Sequence, residues 1–239
     1  MKLALIGYGA MGKLIHRLAE EKGHRVDQII DETDAILSPA DLAEKLSGSE
    51  AAIDFTIAAA VRRNVEACVL AGVPLVEGTT GWNDERTDIE RIVLDGKGTF
   101  VFGANFSIGV NLFYRIASYA AELIAKCPDY EAFIEEQHHS RKKDAPSGTA
   151  LKLQAIVERS LSRDADEGVR VPIAATRAGS IPGTHTVGFD GPADQITLTH
   201  TARSREGFAT GAILAAEWLI GKTGFYEFGE VMDEVVNKD

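Results

Sequence analysis

The stretch Leu3-Ala4-Leu5-Ile6-Gly7-Tyr8-Gly9-Ala10-Met11-Gly12 decides the fold of the first half of this 239-residue chain. Its first four residues are apolar, as in a buried strand, and its glycines follow at Gly-x-Gly-x-x-Gly spacing. Downstream apolar residues then recur on one helical face: Leu14, Ile15, Leu18 and Ala19. A strand, a glycine turn and a helix in this order predict a dinucleotide-binding turn, in which glycines let the backbone approach a pyrophosphate.

An acidic residue stands where such a fold binds the adenosine ribose. The next predicted strand, residues 26–30, ends at Asp31, and an acid about twenty residues beyond the glycine turn accepts a ribose hydroxyl. Glu32 follows, and no basic residue adjoins the pair to bind a 2′-phosphate. The pattern therefore favours NADH over NADPH as the cofactor.

The rest of the first hundred residues alternates strands with helices, which predicts a parallel sheet. Strands are expected at 51–55, 74–77 and 99–102, and helices at 58–71 and 83–94. Ligands of such sheets bind beyond the carboxyl ends of the strands. The predicted cofactor contacts therefore combine the glycine turn, Asp31 and two strand-end loops: Gly7, Tyr8, Gly9, Ala10, Met11, Gly12, Asp31, Gly78, Thr79, Thr80, Gly103, Ala104, Asn105 and Phe106.

The pattern changes after Ile108. A helix at 110–126 leads to a strand at 132–134 and a further helix that ends near Leu161. Three strands then follow one another at 171–176, 184–189 and 195–202. Successive strands favour a mixed or antiparallel α+β sheet. Closing helices at 207–220 and 228–236 are expected to return to the first domain.

The predicted fold class is α/β, with a Rossmann-like parallel-sheet dinucleotide domain and a smaller α+β domain that has a mixed sheet. The first domain comprises residues 1–108 and 207–239. Residues 109–206 form the second, which is expected to bind substrate and to mediate oligomerisation.

The run His138-His139-Ser140-Arg141-Lys142-Lys143-Asp144-Ala145-Pro146-Ser147-Gly148-Thr149-Ala150 carries the most chemical information. Pro146 prevents a helix from running through from upstream, and Ser147 is a suitable N-cap for the helix that follows. The amides of Gly148 and Thr149 then lie in a first helical turn, which favours bound anions. Proton donors beside an anion site predict catalysis on a small acidic molecule.

Composition excludes several other classes of protein. The formal net charge of −11 argues against nucleic acid as the main partner. Cys68 and Cys127 form no Cys-x-x-Cys pair, so we expect neither a metal site nor a disulfide framework. No signal peptide or membrane-spanning stretch is expected, which predicts a cytoplasmic protein without a membrane partner.

With these motifs the chain resembles the dihydrodipicolinate reductase family, whose reaction is now described as 4-hydroxy-tetrahydrodipicolinate reduction. The resemblance covers essentially the whole chain in order: Gly7 to Gly12, Asp54-Phe55-Thr56, Gly78-Thr79-Thr80-Gly81, Ala104-Asn105-Phe106-Ser107 with Gly109, His138 to Ala150, Gly179 to His185, and His200 through Arg205 to Phe208. The chain looks shorter than many members, because only Ser38 to Ala43 stand where those carry an extra strand and helix.

The resemblance implies a function in the diaminopimelate and lysine pathway. The expected reaction is NAD(P)H-dependent reduction of a small dicarboxylate imine, or of its hydrated precursor, to tetrahydrodipicolinate. By similarity, His138 is the first proton donor and Lys142 a second donor or a polarising cation. His139, Gly148 and Thr149 are implied to bind a substrate carboxylate. The family also implies a homotetramer.

Other functions share part of this pattern. Another nicotinamide-dependent imine or amino-acid dehydrogenase has the glycine turn without needing the histidine-rich run. A non-catalytic NAD(H)-sensing module needs no proton donors beside an anion site.

Overall fold

The computed structural model describes residues 1–162 and 169–238. Residues 163–168, within the predicted second domain, and Asp239, at the end of the predicted first one, lie outside the described residues. The chain divides into two compact units, residues 1–108 with 206–239 and residues 109–205.

The first unit contains a six-stranded sheet in which every neighbouring pair is parallel. Its strands lie in the order β10-β5-β4-β3-β1-β2. Their bounds are β1 Lys2–Ile6, β2 Arg25–Ile30, β3 Ala51–Asp54, β4 Leu75–Glu77, β5 Thr99–Phe102 and β10 Gly224–Glu227. The predicted parallel sheet is therefore confirmed.

Six helices belong to this unit: α1 Ala10–Glu21, α2 Pro39–Leu46, α3 Ala58–Ala71, α4 Arg86–Asp95, α7 Glu206–Leu219 and α8 Phe228–Val236. Short 3₁₀ turns at Glu32–Asp34 and Asn83–Glu85 precede α2 and α4. The sheet is apolar on both faces because a core lies on each. Leu3 and Leu5 pack with α1 and α7, whereas Ala4 and Ile6 pack with α2 and α3.

Two elements of the first unit differ from the sequence-based expectation. The segment after β2, expected to be only a compact connection, forms helix α2 (Pro39–Leu46), with Ser38 as its N-cap and Pro39 in its first turn. Residues 224–227, for which no strand was predicted, form the edge strand β10 beside β5. Both are short segments whose conformation depends on the sheet against which they pack.

The second unit contains a four-stranded mixed sheet in the order β7-β6-β8-β9. Its strands are β6 Glu131–His138, β7 Ile173–Arg177, β8 Thr184–Asp190 and β9 Gln195–Thr201. Strand β6 pairs in parallel with β7 and antiparallel with β8, and β8 is antiparallel to β9. The predicted α+β class with a mixed sheet is confirmed.

Helices α5 Ile108–Ile124 and α6 Gly148–Leu161 supply the apolar core of the second unit. Phe113, Ala117 and Leu153 pack there with the sheet residues Ile134 and Phe189. Strand β6 extends four residues beyond the predicted segment and ends at His138. That length places the histidine-rich run at a strand end.

The opposite face of this sheet is rich in threonine. Pairs of hydroxyls meet across β8 and β9, at 3.2 Å between Thr184 and Thr201 and at 3.0 Å between Thr186 and Thr199. Within residues 1–162 and 169–238, no helix is long and apolar enough to cross a membrane.

Candidate functional site

The glycine turn of the first unit connects β1 to α1 with little room for side chains. Gly7 has a φ of +88°, and a Cβ added to Gly12 would collide with the Gly7 carbonyl oxygen. Gly9 differs, since a Cβ there would meet nothing within 4 Å. Gly9 is also the N-cap of α1 and makes no side-chain capping bond. An open approach to a helix N-terminus fits a dinucleotide pyrophosphate.

A cavity of about 550 Å³ adjoins this turn and gathers many of the predicted cofactor residues. It is lined by Gly9, Ala10, Met11, Phe55, Thr56, Ile57, Ala58, Gly78, Thr79 and Thr80. The cavity therefore brings the glycine turn together with the ends of β3 and β4, as the predicted parallel sheet requires.

Two polar contacts fix the strand-end loops around this cavity. The Thr56 amide donates to Thr79 Oγ1 over 2.9 Å, which ties the two loops together. The Trp82 indole donates to the Thr79 carbonyl over 2.8 Å. The Phe55 ring fills the space that a side chain at residue 78 would need, so Gly78 is required for the loop to close over this ring.

The other predicted cofactor residues do not line the cavity, since Gly7, Tyr8 and Gly12 belong to the turn itself and residues 103–106 follow β5. The Tyr8 hydroxyl contacts His16 Nδ1 at 2.7 Å. Asn105 Oδ1 accepts from the Ser107 amide over 2.8 Å, and Phe106 is buried in the core below Gly103. Ala104 is exposed between them.

Asp31 lies at the end of β2 with an exposed carboxylate that accepts from both the Thr33 amide and hydroxyl. These hydrogen bonds hold the pKa of Asp31 below its ordinary value. Three cations of the first unit are paired with other acids. Arg17 binds Glu21 and Glu206, Arg25 binds Asp27, and Lys45 binds Asp34.

In the second unit, Glu136 is the centre of a buried polar cluster. Its side chain is fully buried, and His138 Nδ1 lies 3.3 Å from Glu136 Oε2. Arg177 Nη2 donates to Glu136 Oε1 over 2.6 Å, and the Ser147 amide donates to the same oxygen over 3.0 Å. One carboxylate thus connects the end of β6, the end of β7 and the start of α6.

His185 completes this cluster from β8, where it lies opposite Glu136. Its Nε2 is 3.2 Å from Ser147 Oγ and 3.6 Å from Glu136 Oε2. The His138 and His185 rings meet edge to face with centroids 5.0 Å apart. Burial, followed by the neighbouring His138, lowers the pKa of His185 to about 4, so this ring is neutral at neutral pH.

The pKa values of Glu136 and His138 both differ from those of isolated groups. Burial opposes the ionisation of Glu136, but the hydrogen bonds from Ser147 and Arg177 outweigh it and hold the pKa of Glu136 below its ordinary value. Burial lowers the pKa of His138, Glu136 acts to raise it, and Lys142 and Arg177 lower it further. Glu136 is therefore ionised and supports a positive charge on His138.

The predicted substrate residues surround the start of α6 and the turn before it. Helix α6 begins at Gly148, and the N-cap Ser147 accepts from the Ala150 amide over 3.2 Å, as the sequence predicted. The Lys142 ammonium lies 2.8 Å from Asp144 Oδ2 and is half-buried. Gly148 is exposed and Thr149 half-buried. After His138 the strand ends, and the Lys142 amide donates to the His139 carbonyl in a turn.

Sequence reasoning missed Glu136, Arg177 and Gly183, and it treated His185 as a sheet residue. Glu136 stands two positions before His138 and therefore shares its strand face. That spacing was a usable signal. Arg177 and His185 come into contact only through strand pairing. A side chain at Gly183 would lie 3.3 Å from His138 Nε2, so this glycine keeps the outer nitrogen of His138 accessible.

Glu136, His138 and His185 also have metal-ligand spacing, with ligand atoms within 4.8 Å of one another. The Arg177 guanidinium explains how these three side chains can lie together without a metal ion. The carboxylate is already neutralised by the Arg177 guanidinium, and the same cation repels a divalent metal. The expectation of no metal at this site stays a prediction.

A glycine-turn cradle on a parallel sheet and an acid–base cluster on a second sheet define an NAD(P)H-dependent oxidoreductase. Two family models match the chain: dihydrodipicolinate reductase, N-terminus, over residues 1–106, and dihydrodipicolinate reductase, C-terminus, over residues 109–232. The chain belongs to the dihydrodipicolinate reductase family.

Individual relatives agree with this assignment. The chain is 38% identical over 242 residues to the 4-hydroxy-tetrahydrodipicolinate reductase of Christiangramia forsetii, covering 98% of this chain and 99% of that protein. It is 36% identical over 263 residues to the enzyme of the same name from Archaeoglobus fulgidus, covering 98% and 100%. In fold it is similar to a dipicolinate-bound dihydrodipicolinate reductase from Paenisporosarcina sp. TG-14, with a TM-score of 0.76, 20% identity, and coverage of 96% and 99%.

Proposed function

We propose that this protein reduces 4-hydroxy-tetrahydrodipicolinate, through its dehydrated imine, to tetrahydrodipicolinate in the diaminopimelate and lysine pathway. The observation that carries the proposal is the buried Glu136–His138 pair beside Lys142 and the start of α6. This arrangement suits a substrate that has two carboxylates and must gain a proton when it is reduced.

The start of α6 provides the seat for a substrate carboxylate. Gly148 and Thr149 are in the first turn, where amide groups and the helix dipole favour an anion. His139 and Lys142 in the preceding turn add hydrogen-bond donors, and Lys142 adds a positive charge. A dicarboxylate is thereby favoured over a neutral imine of the same size.

His138 is the proposed proton donor. When bound, the nicotinamide supplies a hydride to an electron-poor carbon of the substrate, and the displaced electron pair must then take up a proton. His138 Nδ1 faces Glu136, which leaves Nε2 beside Gly183 to face the substrate. Two substrate carboxylates add negative charge near the ring and so oppose the effect of burial on the pKa of His138.

Glu136, Arg177 and His185 are proposed to position His138. Glu136 fixes the ring through Nδ1, and Arg177 keeps the carboxylate ionised. His185 packs against the ring and is held by Ser147. Lys142 is the proposed second donor or polarising cation. A substrate carboxylate that displaces Asp144 would bind the Lys142 ammonium in its place.

NADH is the proposed cofactor, because the surroundings of Asp31 offer an acceptor for a 2′-hydroxyl. Arg17, Arg25 and Lys45 are each paired with acids, and the Lys13 ammonium lies over the Tyr8 ring. A 2′-phosphate would instead approach the Asp31 carboxylate and be repelled by it.

A homotetramer is also proposed, with the threonine-rich face of the β6–β9 sheet as its contact surface. Thr197, Thr199 and Thr201 are exposed along β9, although they lie on a regular four-stranded sheet. A face lined by threonine hydroxyls on two neighbouring strands suits association with a second copy of itself. Light scattering should return about four times the 25.7 kDa chain mass, and a monomer mass at micromolar concentration would contradict this assembly.

The proposed function is tested by coupled turnover. The substrate is made in the assay from pyruvate and aspartate semialdehyde by the synthase that acts one step earlier in the pathway. NADH oxidation is followed by absorbance. We expect oxidation that depends on the synthase product. His138→Gln and Lys142→Ala should each lower kcat on the order of 10²–10⁴-fold, because each removes a positioned donor. The NADH Kd should stay near the wild-type value.

Lys143→Gln is the matched control, since it removes an exposed cation from the same turn and should keep the wild-type kcat. A folded protein that binds NADH but shows no turnover would move the function to another imine or to NAD(H) sensing. Near-normal kcat in His138→Gln would remove His138 from the proposed mechanism.

Cofactor preference is tested with the same assay. We expect kcat/KM to be about tenfold or more higher with NADH than with NADPH, equivalent to at least about 1.4 kcal/mol of discrimination at the ribose. Asp31→Ser should shrink this ratio, whereas Asp95→Asn, which removes an exposed carboxylate elsewhere, should not. Equal or better kcat/KM with NADPH would refute the preference.

A further inference from the structure

Two carboxyl groups are buried side by side at the ends of β3 and β4. Asp54 and Glu77 are register partners on these adjacent strands, and both are 0% exposed. Neither belongs to the proton-donating cluster of the second unit. Burying two charges at this spacing would be very costly unless a proton or a cation neutralised one of them.

The hydrogen bonds account for one oxygen of each group. Asn64 Nδ2 donates to Asp54 Oδ2 over 2.7 Å, and the Thr79 amide donates to Glu77 Oε1 over 2.7 Å. Among the described residues, the remaining oxygens, Asp54 Oδ1 and Glu77 Oε2, are buried and have no hydrogen-bond partner. These two free oxygens belong to register partners on adjacent strands, and a proton held between them would give both a hydrogen-bond partner, whereas two ionised carboxylates can only accept.

Within residues 1–162 and 169–238 no cation is paired with either acid, although the Arg63 charge acts to lower the pKa of Asp54. From α3, the Arg63 guanidinium is directed to Asn64 Oδ1 and to the carbonyls of Asp34 and Ala35. Cys68, also on α3, is buried, and burial together with both acids raises the pKa of its thiol. Burial and the neighbouring Asp54 raise the pKa of Glu77 well above its ordinary value.

The pair stands directly below the loops that line the cofactor cavity. Phe55 and Thr56 follow Asp54, and Gly78, Thr79 and Thr80 follow Glu77. The Thr79 amide binds Glu77, while its hydroxyl accepts from Thr56. The spacing of the two loops therefore depends on the distance between the two carboxyl groups.

We propose that Asp54 and Glu77 share a single proton and that this acid pair positions the two cofactor-binding loops. The part of the proposal that concerns the cofactor rests on the function proposed above, whereas the shared proton does not. If the proton were lost, two adjacent buried carboxylates would repel each other and separate the strand ends.

The test compares wild type with Glu77→Gln in urea unfolding over about pH 5.5 to 8. A glutamine amide donates to Asp54 without titrating. Wild-type Glu77 holds its proton when folded and loses it when unfolded, so its contribution to stability is complete at low pH and declines as pH rises. The unfolding constant of wild type, divided by that of Glu77→Gln, should rise about tenfold per pH unit until the folded pair ionises.

Glu44→Gln, which changes an exposed glutamate on α2, should keep the wild-type pH dependence. Parallel pH profiles for wild type and Glu77→Gln would overturn the shared proton. If Glu77→Gln does not fold, infrared spectra of wild type labelled with ¹³C at its Asp and Glu carboxyl carbons decide the point. The carbonyl stretch of a protonated acid at neutral pH is expected, and its absence would overturn the proposal.

Positioning is tested separately with NADH binding at neutral pH. Glu77→Gln should retain the wild-type Kd, whereas Glu77→Ala should raise it about tenfold, the cost of roughly one strong hydrogen bond. An unchanged Kd in Glu77→Ala would overturn the positioning role. Wild type that binds no NADH would refute the proposed function, while the unfolding profiles would still report the shared proton.

Discussion

The structure of the second unit depends on how a single buried carboxylate is neutralised. Glu136 lies inside a sheet, where an unpaired charge would be prohibitively costly, and it remains ionised because Arg177 and the Ser147 amide both bind it. These bonds hold the end of β7 and the start of α6 against β6. The same carboxylate is then available to orient His138. The proposed proton donor and the proposed anion seat are therefore placed by one group.

Both units bury carboxyl groups at strand ends, but they neutralise them in different ways. Glu136 is compensated by a cation and stays charged, which suits a group that must support a positive imidazole. In the part of the chain that the structure describes, no cation is bonded to Asp54 or Glu77, since Arg63 acts on Asp54 only through its charge and is directed to Asn64 and to carbonyl oxygens. A proton is the remaining means of neutralising that pair, and a neutral pair suits a site that holds loops in place. The difference follows from the available partners and not from burial, which is complete for all three acids.

Much of the fold was predictable from local signals in the sequence. The glycine turn, the alternation of strands and helices, and the Ser147 cap depend on residues near one another in the chain, and all three are confirmed. Helix α2 and strand β10 were missed because they are short and are stabilised by packing on distant segments. The histidine-rich run pointed to the candidate site, yet Arg177 and His185 reach it only through the register of β6 with β7 and β8. A single sequence does not specify that register, so the partners of His138 emerged only from the structure.

The central claim is that Glu136 makes His138 an effective acid, and the pH profile of kcat in Glu136→Gln tests it most directly. Glu135→Gln is the matched control, because Glu135 is the adjacent, exposed residue on the other face of β6. Removing the Glu136 charge should lower the pKa of His138, so kcat should fall and its decline with rising pH should begin at lower pH. Glu135→Gln should keep the wild-type profile, and the NADH Kd should be unchanged in both variants. A folded Glu136→Gln enzyme with the wild-type kcat and pH profile would contradict the account.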